Sequence, residues 1–235
     1  MKRTQQPECV TCSARLESVF AHLSPAEIEE INSAKNCSSY KKGQAIFSEG
    51  GNPHGLYCVN HGKVKISKSG EEGREQIVRF AKDGDIMGYR ALLTGDKYSC
   101  SGIAIEETQV CFIAKEIFLQ VVQRDSSLAL ELLKLLGDDL RKAEHRITDL
   151  AQKPVRERLA EALIYLKETY GVEEDGSTIN VILSREELAN IVGTATETAI
   201  RLLSEFKSDK IIELLGKKIR IVDGVKLVKT ANISE

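Results

Sequence analysis

Residues 41–114 hold eleven glycines, while the next stretch, 115–153, holds one, Gly137, and no proline. That change of texture restricts the chain to two unlike parts. Glycines at close intervals between short runs rich in β-branched and aromatic residues predict short strands and turns, the pattern of a sandwich or barrel. Clear runs are Gly55–Asn60, Lys63–Ser67 with Val64 and Ile66 on one face, and Gln76–Phe80, with 69–73 as a hairpin loop. The glycine-poor stretch predicts a single long helix from Lys115 to Lys153. On it Leu133, Leu136, Leu140, Ala143, Ile147 and Leu150 step by alternating three and four residues, the a/d seam of a coiled coil. Such a short seam suits a helix packed on its own domain or one joining two chains. The second reading is favoured because too little chain remains to bury the helix on all sides.

At 235 residues the length fits about two domains. A composition 42% hydrophobic and 29% charged, without low-complexity tracts, excludes a disordered or collagen-like chain. No apolar run approaches the ~18 residues of a membrane span, and the opening residues lack the apolar segment of a signal peptide, so a cytoplasmic protein with no membrane partner is expected. A net charge of −2 excludes a uniformly basic nucleic-acid coat, so any such site must be local. All six cysteines (Cys9, Cys12, Cys37, Cys58, Cys100, Cys111) lie in the first half and, in a cytosolic chain, read as reduced thiols or metal ligands.

Ahead of the strands, Ser24, Pro25 and Glu27 mark the N-cap, N1 and N3 of a short helix. Lys153-Pro154 interrupts the later helical run and is the expected domain boundary. The domains are then an arm at 1–22, a sensor roll at 23–116, a joining helix at 117–152 and a terminal domain at 153–235. In the last, an amphipathic helix over 155–169 precedes two capping boxes, Ser184-x-x-Glu187 and Thr194-x-x-Glu197. They predict short helices at about 185–191 and 195–207 around a turn at Gly193, a helix-turn-helix. Gly216-Lys217 between two β-like runs predicts a hairpin wing.

Residues 201–230 carry eight basic side chains, Lys218 among them, against four acidic ones, the local positive patch required above. With Ala199, Leu202, Leu203 and Phe206 turned inward, Thr196, Glu197, Ile200 and Arg201 face outward. Arg201 has the fork that pairs with guanine O6/N7, and Glu197 can accept from a cytosine amine. Glu197 is also the acid of its capping box and stands i, i+4 to Arg201, so a purely structural role competes with base reading.

This organisation resembles the Crp/Fnr family of bacterial transcription regulators, the cAMP receptor protein and fumarate-nitrate regulator type, over residues 20–230. Glu197-Thr198-x-x-Arg201-Leu-Leu is similar to the family's recognition segment, and Lys42-Gly43-Gln44, Gly55-Leu-Tyr, Gly62-Lys63-Val64 and Asp83-Gly84-Asp85-Ile86-x-Gly88 to its β-roll. The resemblance implies an α+β chain: an N-terminal antiparallel, jelly-roll-like β-roll, a dimerisation helix and a C-terminal winged helix-turn-helix. It implies a homodimer, not an enzyme, that binds double-stranded DNA at a palindromic operator, meets RNA polymerase and answers a small-molecule or redox signal. Ser184, Thr194, Thr196, Glu197, Thr198, Ile200, Arg201 and Lys218 are its expected DNA-contacting set, and Gly88, Tyr89, Arg90, Ser99 and Cys100 its effector pocket. cAMP-binding members carry a Gly-Glu pair and a clamp arginine; this chain has Gly88-Tyr89-Arg90 and Ser99-Cys100 there, so cAMP is not the expected ligand. The Fnr branch holds an iron–sulfur cluster through arm cysteines and one after the roll, the positions of Cys9, Cys12 and Cys111, but Ser18 stands where a third arm cysteine belongs. A cluster, a thiol switch, a haem on one of His22, His54, His61 or His145, and plain thiols are the options this leaves. The competing function is an effector-binding module whose helix-turn-helix meets protein rather than DNA.

Overall fold

The computed structural model describes residues 6–70 and 73–233, so the first five residues of the arm and Glu71-Glu72 of the expected hairpin lie outside the described residues. The chain divides into two compact units that part at Leu140 and Arg141.

The first unit opens with α1 (Ser13–Leu16) and α2 (Pro25–Ala34), the latter started by the Ser24–Glu27 capping box. Eight strands follow: β1 (Asn36–Tyr40), β2 (Ala45–Phe47), β3 (Gly55–His61), β4 (Val64–Ser69), β5 (Glu75–Ala81), β6 (Ile86–Met87), β7 (Ser101–Ala104) and β8 (Thr108–Ala114). They form two four-stranded antiparallel sheets, ordered β1-β8-β3-β6 and β2-β7-β4-β5. The short helix α3 (Tyr89–Thr94) follows β6 after Gly88, whose φ of +84° is a conformation a side chain rarely tolerates.

Side chains alternate across a strand, so the first sheet feeds two cores. Val59 and Val110 join Phe47, Val64, Ile66 and Met87 in one. Leu56 and Ile113 face the other way, onto Phe20, Leu23, Ile28 and Ile31 of the N-terminal segment and Phe118, Val121, Leu128 and Leu132 of the helices that follow. That second core explains why the arm and the helices stay on the roll: each buried Leu, Ile or Phe contributes about 1.5–3 kcal/mol.

The single long helix expected from Lys115 to Lys153 is two helices, α4 (Lys115–Arg124) and α5 (Ser126–Gln152). Asp125 breaks the run with an extended backbone, and its carboxylate accepts from the Ser127 and Leu128 amides at 2.7 and 3.3 Å. An acidic cap inside a glycine-poor run was the available signal.

In the second unit α6 (Val155–Tyr170) leads to α7 (Arg185–Val192), α8 (Thr196–Ser208), a hairpin of β9 (Ile212–Leu215) and β10 (Lys218–Ile221), and α9 (Gly224–Ala231). Leu159, Leu163, Leu188, Leu203, Phe206 and Ile211 form its fully buried centre. The terminal α9, absent from the sequence reading, is capped by Asp223, buries Leu227 and Ala231, and packs on α6.

Candidate nucleic-acid interface and sensor cavity

The helix pair is set by its caps. The Glu187 amide donates to Ser184 Oγ at 3.0 Å and the Ser184 amide to Glu187 Oε2 at 2.8 Å, closing the first capping box as expected. The second box does not form. Gly193 stands in the left-handed conformation at φ 71°, and the amides of both Gly193 and Thr194 donate to Ala189 O, so Thr194 completes the C-terminal turn of α7. The N-cap of α8 is Ala195, with no side-chain bond, which leaves the first-turn amides of α8 without a side-chain cap.

On α8, Ala199, Leu202, Leu203 and Phe206 are buried, while Glu197, Ile200 and Arg201 are exposed and Thr196 and Thr198 half-buried. Arg201 pairs with Glu205, one turn on, rather than with Glu197. Glu205 also accepts from Arg156 at 2.9 Å, and Arg156 lies over the Phe206 ring and reaches Asp209 at 2.6 Å. The outward arginine therefore rests on a carboxylate that α6 holds in place.

The turn between the two helices is anchored by Arg158 of α6, which the sequence reading missed. Its guanidinium donates to Val192 O at 3.0 Å and Gly193 O at 3.4 Å, and also to Lys153 O at 2.8 Å and Leu150 O at 3.4 Å. One cation thus satisfies carbonyls at the C-terminal ends of α5 and α7, where the helix dipole favours positive charge. At the wing, Arg185 donates to Gly216 O at 2.9 Å, tying the start of α7 to the hairpin tip.

The basic patch is weaker than its composition. Lys218 pairs with Glu173 at 2.6 Å, and Arg220 with Asp175 and Glu213 at 3.3 and 3.0 Å. The acidic turn at 171–176 is closed by a bridge from Val172 to Ile179 and joined to the wing by one from Thr178 to Arg220. The Asp175 carboxyl is held well below the usual carboxylate range by bonds from Thr178 and Ser177, with Arg220 adding to them. Lys207, Lys210, Lys217 and Lys229 remain exposed.

In the first unit a cavity of about 50 Å³ lies beneath the arm, lined by Cys9, Cys12, Cys58, Cys111, Arg15 and Lys35 among mostly apolar groups. Asn60 reaches Cys12 Sγ at 3.2 Å. Burial pushes the Cys9 thiol up against the opposing pull of Lys35. The five residues expected to form an effector pocket are elsewhere. Tyr89 is buried, its hydroxyl donating to Asp139 of α5 and its ring beneath Arg79; Cys100 sits in the inter-sheet core; Arg90 and Ser99 are exposed; and none of them, nor Gly88, lines the cavity.

The cysteine expectation is corrected. Cys37 and Cys111 are joined in a disulfide, which removes Cys111 as a thiolate ligand and contradicts six reduced thiols. The pairing follows from strand register, Cys37 standing directly opposite Cys111, which one sequence does not display. The disulfide takes Cys111 out of the expected ligand set, while the free Cys9, Cys12 and Cys58 line the same cavity.

A family model described as a cyclic nucleotide-binding domain matches residues 37–125, and one described as a Crp-like helix-turn-helix domain matches residues 157–230. The chain is 28% identical over 230 residues to the fumarate and nitrate reduction regulatory protein of Vibrio cholerae, covering 97% of this chain and 91% of that protein. It is 26% identical to a CRP-like cAMP-activated global transcriptional regulator of Mycobacterium tuberculosis, covering 91% and 96%. Among solved structures it is similar to FixK2 from Bradyrhizobium japonicum, with a TM-score of 0.77 and 25% identity over 86% of this chain and 99% of that one.

Proposed function

The chain belongs to the Crp/Fnr family of transcription regulators, and from that premise we propose that it is a homodimeric, sequence-specific DNA-binding regulator whose first unit receives a signal. The observation that carries the reading is α8: one face buried, the other presenting Glu197, Ile200 and Arg201, with an uncapped N-terminus between Thr194 and Thr198. Laid in a major groove, such a helix gives its first-turn amides to a phosphate and its Arg201 fork to guanine, with Glu197 accepting from a cytosine amine. Arg201 leaves or shares Glu205 to do so, and Glu205 keeps the guanidinium extended on the outward face. Ser184 and Thr194 serve by shaping the helix ends. Lys217 at the wing tip is better placed for a phosphate than Lys218, which Glu173 already engages.

The dimer rests on α5. Leu133, Leu140 and Ile147, seven residues apart, are 64%, 61% and 67% exposed in the single chain. Leu150 and Ala143 are exposed beside them, and only Leu136 of the expected seam turns toward the roll core. Large apolar side chains at heptad spacing are the seam of a two-stranded coil. A two-fold dimer then reads a palindrome with half-sites about one helical turn apart. No described helix is long and apolar enough to cross a membrane, in keeping with work on DNA in the cytoplasm alongside RNA polymerase. The signal acts by favouring one dimer geometry over another.

Selection of bound duplexes from a random pool tests the reading. Enrichment of an inverted repeat, lost when Arg201 is replaced by alanine, is expected. Retention of random duplex without an enriched repeat overturns it and favours the module that meets protein.

A further inference from the structure

Five of the six cysteines meet on one side of the first sheet. Directly opposed residues of an antiparallel ladder project to the same face. Cys111 on β8 is opposed by Cys37 on β1 and, on its other side, by Cys58 on β3. Cys9 and Cys12 of the arm line the cavity over the same face. Cys111 can bond only one neighbour, and it bonds Cys37, with their Cα atoms 4.0 Å apart.

We propose that Cys37–Cys111 is a reversible thiol–disulfide modification site, opened by a dithiol reductant and closed by a peroxide, with Cys58 and the arm thiols as bystanders. This gives the sensing unit of the proposed regulator a chemistry; it rests on that reading only for its consequence at DNA. Three features support reversibility. β1 is the outer strand of its sheet and Cys37 is half-exposed, whereas Cys111 is buried, so an incoming thiolate meets Cys37 Sγ first. Reduction leaves β1 in place, because the ladder pairs it with β8 from Asn36 and Phe112 through Tyr40 and Thr108 whether or not the sulfurs are bonded. Burial also holds Cys58 as a thiol, its pKa raised further by Cys9 and Cys12, which keeps it from competing for Cys111.

In the opening step one reductant sulfur bonds Cys37 Sγ as the Cys37–Cys111 bond breaks, and Cys111 leaves as a thiolate that takes a proton. The second reductant thiol attacks the mixed disulfide, releases Cys37, and departs as the oxidised disulfide. The chain gains two electrons and two protons. In the closing step the Cys37 thiolate attacks the peroxide, giving a sulfenic acid and water or alcohol. The Cys111 thiol then displaces water and restores the bond.

The test treats the full-length chain under native conditions, then quenches with acid, unfolds, labels the thiols and maps them by peptide mass spectrometry. Free thiols are expected to rise from four to six on treatment with dithiothreitol and return to four with hydrogen peroxide, with an unchanged circular dichroism spectrum. The Cys37→Ser variant is expected to abolish the cycle and Cys58→Ser to leave it intact. A bond that resists dithiothreitol until the chain unfolds overturns the proposal, as does peroxide oxidation that joins Cys111 to Cys58 or an arm cysteine in preference to Cys37. These outcomes are read without DNA, so they are independent of the operator selection above.

Discussion

Replacing Arg158 by methionine keeps the apolar stem and removes the guanidinium that binds the turn of the helix-turn-helix to the end of α5. Two of its four bonds, to Lys153 O at 2.8 Å and Val192 O at 3.0 Å, have full hydrogen-bond length, and the two at 3.4 Å count for little. A bond from a charged donor contributes about 1.5–3 kcal/mol when buried. Arg158 is half-buried, so water can replace part of what is lost. The expected cost is then about 2–3 kcal/mol, plus a few tenths from the two helix C-termini that lose a cation. Urea denaturation with hydrogen exchange at the α7 amides reads the second unit by itself, and should show protection falling by roughly 30- to 150-fold at 1.4 kcal/mol per decade. Arg158→Lys should recover less than half, since one ammonium cannot reach both sets of carbonyls. A loss below about 0.5 kcal/mol, the scatter of ordinary surface substitutions, would refute the anchoring role.

Other outcomes follow from the same geometry. Arg201→Ala should weaken the selected duplex by about 1–3 kcal/mol, roughly 5- to 150-fold, and leave random duplex nearly unchanged, as read by fluorescence anisotropy. Lys217→Ala should weaken both alike and lower the salt slope by about one. Leu140→Glu with Ile147→Glu should convert the dimer to monomer by light scattering while the circular dichroism spectrum persists, since neither side chain is buried in the single chain. Asp175 has a depressed pKa in the folded state, so it stabilises the wing above its unfolded value of 3.8 and loses that effect as pH falls below it. The stability difference between the chain and Asp175→Asn should accordingly be full at pH 7 and shrink below about pH 4 in acid titrations followed by circular dichroism.

Local chemistry made much of this molecule legible. Ser184 with Glu187, and Ser24 with Pro25 and Glu27, announce helix starts because cap and partner lie three residues apart. The alternation of Val64 and Ile66 and the inward set Ala199, Leu202, Leu203 and Phe206 likewise need only nearest neighbours. Long-range placement was not legible. The acidic turn at 171–176 neutralises part of the wing because a bridge at Thr178 carries it there. Cys37 meets Cys111 across 74 residues through strand register. Thr194 has the residues of a capping box, yet its amide belongs to the preceding helix. Asp125 could have been read as an acidic cap, but apolar residues at helical spacing on either side, with no proline and no glycine nearby, hid the break.

The central claim, a dimer that reads a palindrome through α8, is tested most directly by the stoichiometry and span of the chain on its selected duplex, measured by analytical ultracentrifugation with footprinting. Two chains per duplex, protecting half-sites about 10 base pairs apart, is the predicted result. One chain per duplex, or protection without a repeated half-site, would contradict it.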